Sequence, residues 1–296
     1  MKIGELEFFL VNDAWVEVDA GGPFGLVPRT LYQRHFTPSL ENLVPMVLNC
    51  MLVRSQGKTI VIDTGLGEKL SGDRLAGWHL TRAEEGLVSG LGRLGVSPAD
   101  VDIVINTHLH SDHCGGNTRL EGSEVVPTFP RATYLVQRIE WADASHPDAR
   151  TRGTYLSENF GPVMSRGQMR LLTGDYAVTD EVSCVVTPGH TRGHQSVMLR
   201  AGNWRGLYVA DMASFAVHFL RTGWLTAYDV LPLENIATKE RWQRWAAMER
   251  GWLFFEHDPG MPCARVSESG SRQVLEPVEL ADASITGPPI RPQPAG

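Results

Sequence analysis

Cysteine is scarce: four residues in 296, Cys50, Cys114, Cys184 and Cys263, scattered with no C-x-x-C pair. That argues against a disulfide framework and against a thiolate-type structural zinc site, and it fits reduced thiols. No run of eighteen apolar residues occurs, so no membrane-spanning helix is expected. The start of the chain carries Glu5 and Glu7 where a signal peptide would need an apolar stretch, so the expected location is cytoplasmic. Positive charge is also in deficit, with 27 Lys and Arg against 34 Asp and Glu and a net charge of −7. Phosphate backbones are bound by clustered cations, so a nucleic-acid partner is not expected and a small neutral or polar substrate is. Hydrophobic residues make up 42% and charged residues 21%, the balance of an ordinary soluble globular chain able to bury a core.

Histidine, by contrast, is concentrated. Thr107-His108-Leu109-His110-Ser111-Asp112-His113-Cys114-Gly115-Gly116 places three imidazoles and a carboxylate within six residues. It follows Val101-Asp102-Ile103-Val104-Ile105-Asn106, whose β-branched apolar residues predict a buried strand. On extended backbone His108 and His110 share a face, and a turn at Ser111 brings Asp112 and His113 to a second, adjacent position. A chance cluster or an exposed turn is the bland alternative, but this spacing after a strand favours metal ligands. Imidazole with carboxylate suits Zn, Mn, Fe or Co in a catalytic site. Gly115 and Gly116 are expected to provide a tight bend through positive φ, and Cys114 is expected to point away from the ligands.

Further strands are expected at 6–11, 46–53, 59–62, 131–136, 182–187, 196–200 and 206–210. Thr81-Arg82-Ala83-Glu84 fits a capping box that opens a helix running to about Leu94 and closed by Gly95. Strand, helix and strand in that order imply a parallel crossover and an α/β fold. A helix is expected at 138–145, and another carries Trp242, Trp245 and Met248 at helical spacing, read as core. The breaker-rich stretch 20–45 is expected to be a long loop, functional or at a homodimer interface, and 146–168 a lid-like insertion. The domain is expected to span 1–276, with a mobile proline-rich tail at 277–296. Two later strands also end in potential ligands, at Thr187-Pro188-Gly189-His190 and at Tyr208-Val209-Ala210-Asp211, and His257 follows a third apolar run.

HLHSDH, then PGHTRGH, then an aspartate after an apolar strand, then a late histidine, resembles the metallo-β-lactamase superfamily over roughly residues 45–260. The resemblance implies a single-domain αββα four-layer sandwich with a dinuclear site at one edge. Gly21-Gly22-Pro23-Phe24-Gly25-Leu26-Val27-Pro28, Leu225-Thr226-Ala227-Tyr228-Asp229 and Phe254-Phe255-Glu256-His257-Asp258 are similar to the YtnP-type quorum-quenching lactonases, which open the ring of N-acyl-homoserine lactones. Carried over, the pattern puts one metal on His108, His110 and His190, a second on Asp112, His113 and His257, and Asp211 between them. It implies two divalent ions, zinc foremost, with Asp112 also as proton shuttle. Asp63 and His194 would orient the ligands from behind. Aspartate at 211, rather than cysteine, separates the chain from the zinc β-lactamases.

Homoserine-lactone hydrolases of this superfamily often carry a tyrosine three residues after the bridging aspartate, where this chain has Ser214. His218 and Tyr228 are the candidates to replace its hydroxyl. An acyl chain would need an apolar trough, for which Phe24, Leu26, Met164, Phe215, Phe219 and Trp224 are available. The competing enzyme reading is a phosphotriesterase or arylesterase of the methyl parathion hydrolase type. A non-catalytic metal protein or a di-iron oxygen-reducing protein is the alternative from another class.

Overall fold

The computed structural model describes residues 1–82, 86–269, 272–280 and 285–286. Two twisted sheets pack face to face. The first has the strand order Lys2–Ile3, Leu6–Asp19, Leu43–Ser55, Lys58–Ile62, Ile103–Ile105, Thr133–Gln137, Met169–Leu172, with Ile285–Thr286 added beside Leu6–Asp19. The second runs Tyr176–Ala177, Val182–Val186, Gln195–Ala201, Trp204–Tyr208, Trp252–Phe254, Cys263–Ser269, Arg272–Pro277.

The period of two along each strand decides the layering. Leu6, Phe8 and Leu10, Met51 and Val53, and Ile60 and Ile62 face Val197 and Leu199, Tyr208 and Phe254 of the other sheet in one core. The residues between them turn outward: Val11, Cys50, Leu52 and Val61 pack with Leu87 and Leu91 of the helix Gly86–Arg93. On the far side Met198, Leu207 and Leu253 pack with Trp242 and Ala246 of the helix Pro232–Glu249. Both faces of both sheets are thus covered, which gives the helix, sheet, sheet, helix order of the αββα sandwich. Met248 lies at the spacing of the two tryptophans but is exposed.

The expected crossover is present. Lys58–Ile62 pairs in parallel with Ile103–Ile105, with Ile60 opposite Ile103 and Ile62 opposite Ile105, and Trp204–Tyr208 pairs in parallel with Trp252–Phe254. Ala83 and Glu84 of the proposed capping box lie outside the described residues. The stretch 20–45 is not a plain loop: it holds the short helices Gly21–Phe24 and Arg29–Tyr32, and it is anchored by buried Phe24, Tyr32 and Phe36. The insertion contains the short helices Ser157–Asn159 and Gly161–Ser165. The expected boundary at 276 falls too early. Pro277 pairs with Ala264, the Val278 N–H bonds Cys263, Leu280 is buried, and Ile285 and Thr286 pair with Leu10 and Val11. Proline content suggested a tail, but strand edges pair Pro277, Ile285 and Thr286; residues 281–284 and 287–296 of the expected tail lie outside the described residues.

Candidate metal centre

Every residue singled out as a ligand lies just past the carboxyl end of a strand. His108, His110, Asp112 and His113 follow Ile103–Ile105, His190 follows Val182–Val186, Asp211 follows Trp204–Tyr208, and His257 follows Trp252–Phe254. Sheet order brings these ends to one edge of the sandwich. The short helix Ser111–Cys114 then turns Asp112 and His113 back over the site. Gly115 and Gly116 are needed there for a reason other than the one expected. Gly115 has φ near −58°, and neither glycine has a positive φ. A Cβ would instead lie 2.1 Å from the Leu66 carbonyl oxygen at Gly115 and 2.3 Å from that of Thr64 at Gly116. The Cys114 thiol donates to the Leu109 carbonyl, away from the ligands.

Two donor clusters result. His108, His110, His190 and Asp211 form one, and Asp112, His113 and His257 the other. In the first, His190 Nε2 lies 3.1 Å from His110 Nδ1 and 3.1 Å from Asp211 Oδ2. In the second, His257 Nε2 lies 3.1 Å from His113 Nε2, 3.2 Å from Asp211 Oδ1 and 3.8 Å from Asp112 Oδ2. Asp211 therefore reaches both clusters, with Oδ2 near His190 and 3.5 Å from His113 Nε2, and Oδ1 near His257. Donors bound tetrahedrally at about 2.0–2.1 Å are separated by about 3.3 Å, so these spacings suit a cation between the donors. The chemistry agrees: His108 Nε2 is buried with no hydrogen-bond partner among the described residues. Burial pulls the His190 imidazole down, but Asp211 and Asp229 outweigh it and raise it to about 10, whereas burial and the neighbouring imidazoles hold His108 and His110 well below their usual value, as neutral rings able to bind a cation.

Three of the rings are aimed by their other nitrogen. His190 Nδ1 lies 2.8 Å from Asp229 Oδ1, His257 Nδ1 2.9 Å from the Val47 carbonyl, and His113 Nδ1 3.1 Å from Asp63 Oδ2 and 3.0 Å from Glu256 Oε2. Such partners fix the tautomer and the ring direction. Asp63 also accepts the Thr107 N–H and hydroxyl, each at 2.7 Å, which pins the start of the histidine loop. His194 sits 5.3 Å, ring to ring, from His108, but its hydrogen bonds go to Thr187 and to no ligand.

Three supporting acids were not singled out as such from the sequence. Asp229 and Glu256 occur in stretches quoted only for their resemblance, and nothing local marks either as a histidine partner. Glu140, in the helix Arg138–Ser145, is fully buried and accepts from the Leu109 N–H, Tyr155 hydroxyl and Thr191 hydroxyl. It thereby ties together the loops bearing His108, His110 and His190. Burial raises Glu256 to about 7, against the pull of His113.

A cavity of about 190 Å³ opens onto the centre. Its floor includes His110, Asp112, Asp211 and His257, its apolar wall Val18, Pro23, Met46 and Trp78, and its remaining lining Ser214 and Tyr228. The expected trough is only partly present, since Leu26 and Trp224 line a separate cavity of about 660 Å³ that shares Thr226 with this one. Phe24 is fully buried, stacked on Tyr32 and Phe215; Phe219 is core, Leu26 is fully exposed, and neither Met164 nor Trp224 lines this cavity. His218 is also displaced from its expected role: it is buried between Phe24 and Phe215, neither ring nitrogen has a partner, and burial lowers it to about 3. Aromatic packing claimed these residues, whereas Tyr228 does reach the cavity.

Residues 44–247 match the model of the metallo-beta-lactamase superfamily, and the chain belongs to that superfamily. With this fold and donor set it is a metal-dependent hydrolase. Among curated relatives it is 28% identical over 186 residues to the N-acyl homoserine lactonase AttM of Rhizobium radiobacter, covering 62% of this chain and 67% of that one. It is 28% identical over 219 residues to the N-acyl homoserine lactonase AiiA of Bacillus thuringiensis subsp. kurstaki, covering 71% and 80%. Among solved structures, a probable metal-dependent hydrolase from Staphylococcus aureus superposes with a TM-score of 0.84 at 25% identity, covering 95% of this chain and all of that one. The dizinc quorum-quenching lactonase AidC gives 0.76 at 20% identity, covering 95% and 97%, a likeness of fold. Among the described residues no helix is long and apolar enough to cross a membrane.

Proposed function

We propose that this protein opens the ring of N-acyl-homoserine lactones with two divalent cations, one held by His108, His110 and His190, the other by Asp112, His113 and His257, with Asp211 shared. The position of Asp211 within reach of both clusters, beside His190, His113 and His257, carries this reading. Lactonase relatives support the substrate class. Zinc suits the imidazole and carboxylate donors, as do Mn, Fe and Co.

When bound, such a pair of ions lowers the pKa of water so that it attacks near neutral pH, and polarises the scissile carbonyl. The chain's own residues do the rest. Asp229, Asp63, Glu256 and the Val47 carbonyl hold His190, His113 and His257 in line, so that little reorganisation is needed during reaction. Asp112 lines the cavity with a side chain 15% exposed, where its carboxylate can take a proton and return it to the departing ring oxygen. Tyr228, which lines the cavity, is the candidate hydroxyl to donate to the carbonyl oxygen as charge builds there, in place of the tyrosine absent at Ser214. Ligand sites commonly measure about 300–1,000 Å³, so the cavity accepts the lactone head while a long acyl chain runs on over the surface.

The decisive experiment is lactone ring opening followed by pH-stat before and after chelation. Acid release that stops on chelation and returns with zinc is expected; no chelator-sensitive acid release from any lactone overturns the proposal. Paraoxon belongs in the same panel, because Ser214 in place of a tyrosine also suits a phosphotriesterase. A kcat/KM orders of magnitude higher on paraoxon would favour that reading instead.

A further inference from the structure

Arg150 stands on the insertion, away from both donor clusters, and is exposed. Its backbone is set by a local turn: the Asp148 carboxylate accepts the N–H of Arg150 at 2.8 Å, the N–H of Thr151 at 2.9 Å and the Thr151 hydroxyl at 3.1 Å. A side-chain carboxylate bonding the backbone two residues on is the local chemistry that makes an aspartate start a turn. The guanidinium then crosses to another connection. One nitrogen, Nη2, donates to the Ala227 carbonyl at 2.9 Å and to the Asp229 carbonyl at 2.7 Å. Its two N–H bonds are both used, and they bracket Tyr228.

The bracketed residues face different parts of the centre. Tyr228 lines the cavity beside Asp112 and Asp211, with its hydroxyl against Gly22, where a Cβ would come within 2.4 Å. Asp229, buried, orients His190 and also accepts from the Thr226 N–H, the Thr226 hydroxyl and Asn235. Downstream, Val230 and Leu231 are bonded to the carbonyls of His190 and Gly189. Upstream, Ala227 N–H donates to Gly22. The side-chain cation spanning 227 to 229 is Arg150, and charge-assisted bonds of this kind are roughly twice as strong as neutral ones.

We infer that Arg150 is a positioning residue that sets, through one guanidinium nitrogen, both the cavity wall at Tyr228 and the orientation of the His190 ligand by Asp229. A surface arginine on the insertion thus governs how tightly the first cluster holds its cation. Because Arg150 is exposed, its loss is expected to leave the fold intact and to free the 227–229 turn.

The test reads metal affinity, with no substrate present. Metal-free protein is titrated with zinc against a chromophoric chelator for wild type, Arg150→Ala, Arg150→Lys and Asp229→Ala. The ion weakened by Asp229→Ala is the one on the His190 cluster. Arg150→Ala is expected to weaken that same ion about tenfold, the lower end of what loss of a ligand's supporting partner costs, and to leave the other ion and the metal-free thermal midpoint unchanged. Arg150→Lys keeps a cationic nitrogen with two N–H bonds to offer but on a shorter side chain, and should fall between. First-cluster affinity equal to wild type in Arg150→Ala overturns the inference, and so does equal weakening of both ions, which would mean general loosening. A kinetic arm rests on the lactonase reading: with zinc saturating, Arg150→Ala should raise KM for the lactone severalfold and change kcat less. Failure to hydrolyse any lactone, with the zinc arm as expected, would sink that reading and leave the clamp standing.

Discussion

His113 and His257 are fixed by groups belonging to the central sheets, whereas His190 is fixed by groups on connections outside them. Asp63 ends the strand Lys58–Ile62, Glu256 follows Trp252–Phe254, and Val47 lies within Leu43–Ser55. The Val47 and Asn49 N–H groups also bond the carbonyls of His257 and Glu256, stitching one sheet to the other behind the second cluster. On the other side Asp229, Arg150 and Glu140 come from a loop, an insertion and a peripheral helix. The second cluster is therefore part of the sandwich itself. The first can be retuned by changes in loops, which tolerate substitution better than paired strands.

The largest effect should come where the two clusters meet. Asp211→Ala removes a ligand from both, and kcat/KM for the lactone should fall by at least about 10³-fold with loss of bound metal, read by elemental analysis. Retention of both ions would mean that the clusters do not share Asp211. Next, Asp112→Asn tests the proton shuttle: metal content should stay at two ions per chain while kcat drops about 10²-fold, in the range for general acid–base groups. Full turnover with both ions retained would show that Asp112 is a ligand alone.

A direct comparison of the two halves follows from Asp63→Ala and Asp229→Ala. Each should cost about 10–100-fold in the affinity of one ion. Both should lower the thermal midpoint of metal-free protein, Asp63→Ala the more, since the Thr107 N–H it strands is fully buried whereas the Thr226 N–H bonded to Asp229 is half-buried. Equal midpoints would erase the distinction between sheet-held and loop-held clusters.

Acid should find the loop side as well. His218 is held neutral down to about 3 by burial, reinforced by nearby Lys239, whereas in the unfolded chain it takes a proton near 6.5. Its folded pKa is depressed, so the unfolded state binds more protons below 6.5; stability is unaffected above that pH and falls as pH drops from 6.5 toward 3. In urea unfolding of metal-free protein, wild type minus His218→Leu should shift by about 2 kcal/mol between pH 7 and pH 5. No shift would mean that His218 is charged or solvated in the fold.

The strands, the crossover and the ligand-bearing turns were legible because each is local: β-branched runs ending in His, Asp or Gly carry their own signal. Helix Arg138–Ser145 was expected with the bounds it has. The supporting acids were not legible, since Asp229, Glu140 and Glu256 look like any loop or helix acid until the chain returns a ligand loop to them. Asp13 is a further case. It sits at a bulge in Leu6–Asp19, where its carboxylate accepts from Leu66, Gly67, Leu87 and Arg82, and nothing in its neighbours announces that. Phe24 and His218 differ from expectation for the opposite reason: a ring in a breaker-rich segment reads as available to a ligand, but its area is better buried against other rings.

What the sequence offered alone was the candidate donor set, because the residue types at the strand ends are local and a cation suits imidazole and carboxylate, while their division between two ions came from the family resemblance. That Asp211 reaches both clusters, which acid backs each histidine, and that Tyr228 rather than His218 reaches the cavity were decided by the tertiary structure. Each depends on chain segments tens to hundreds of residues apart meeting within about 3 Å, and hydrogen bonds at that range leave no trace in local composition.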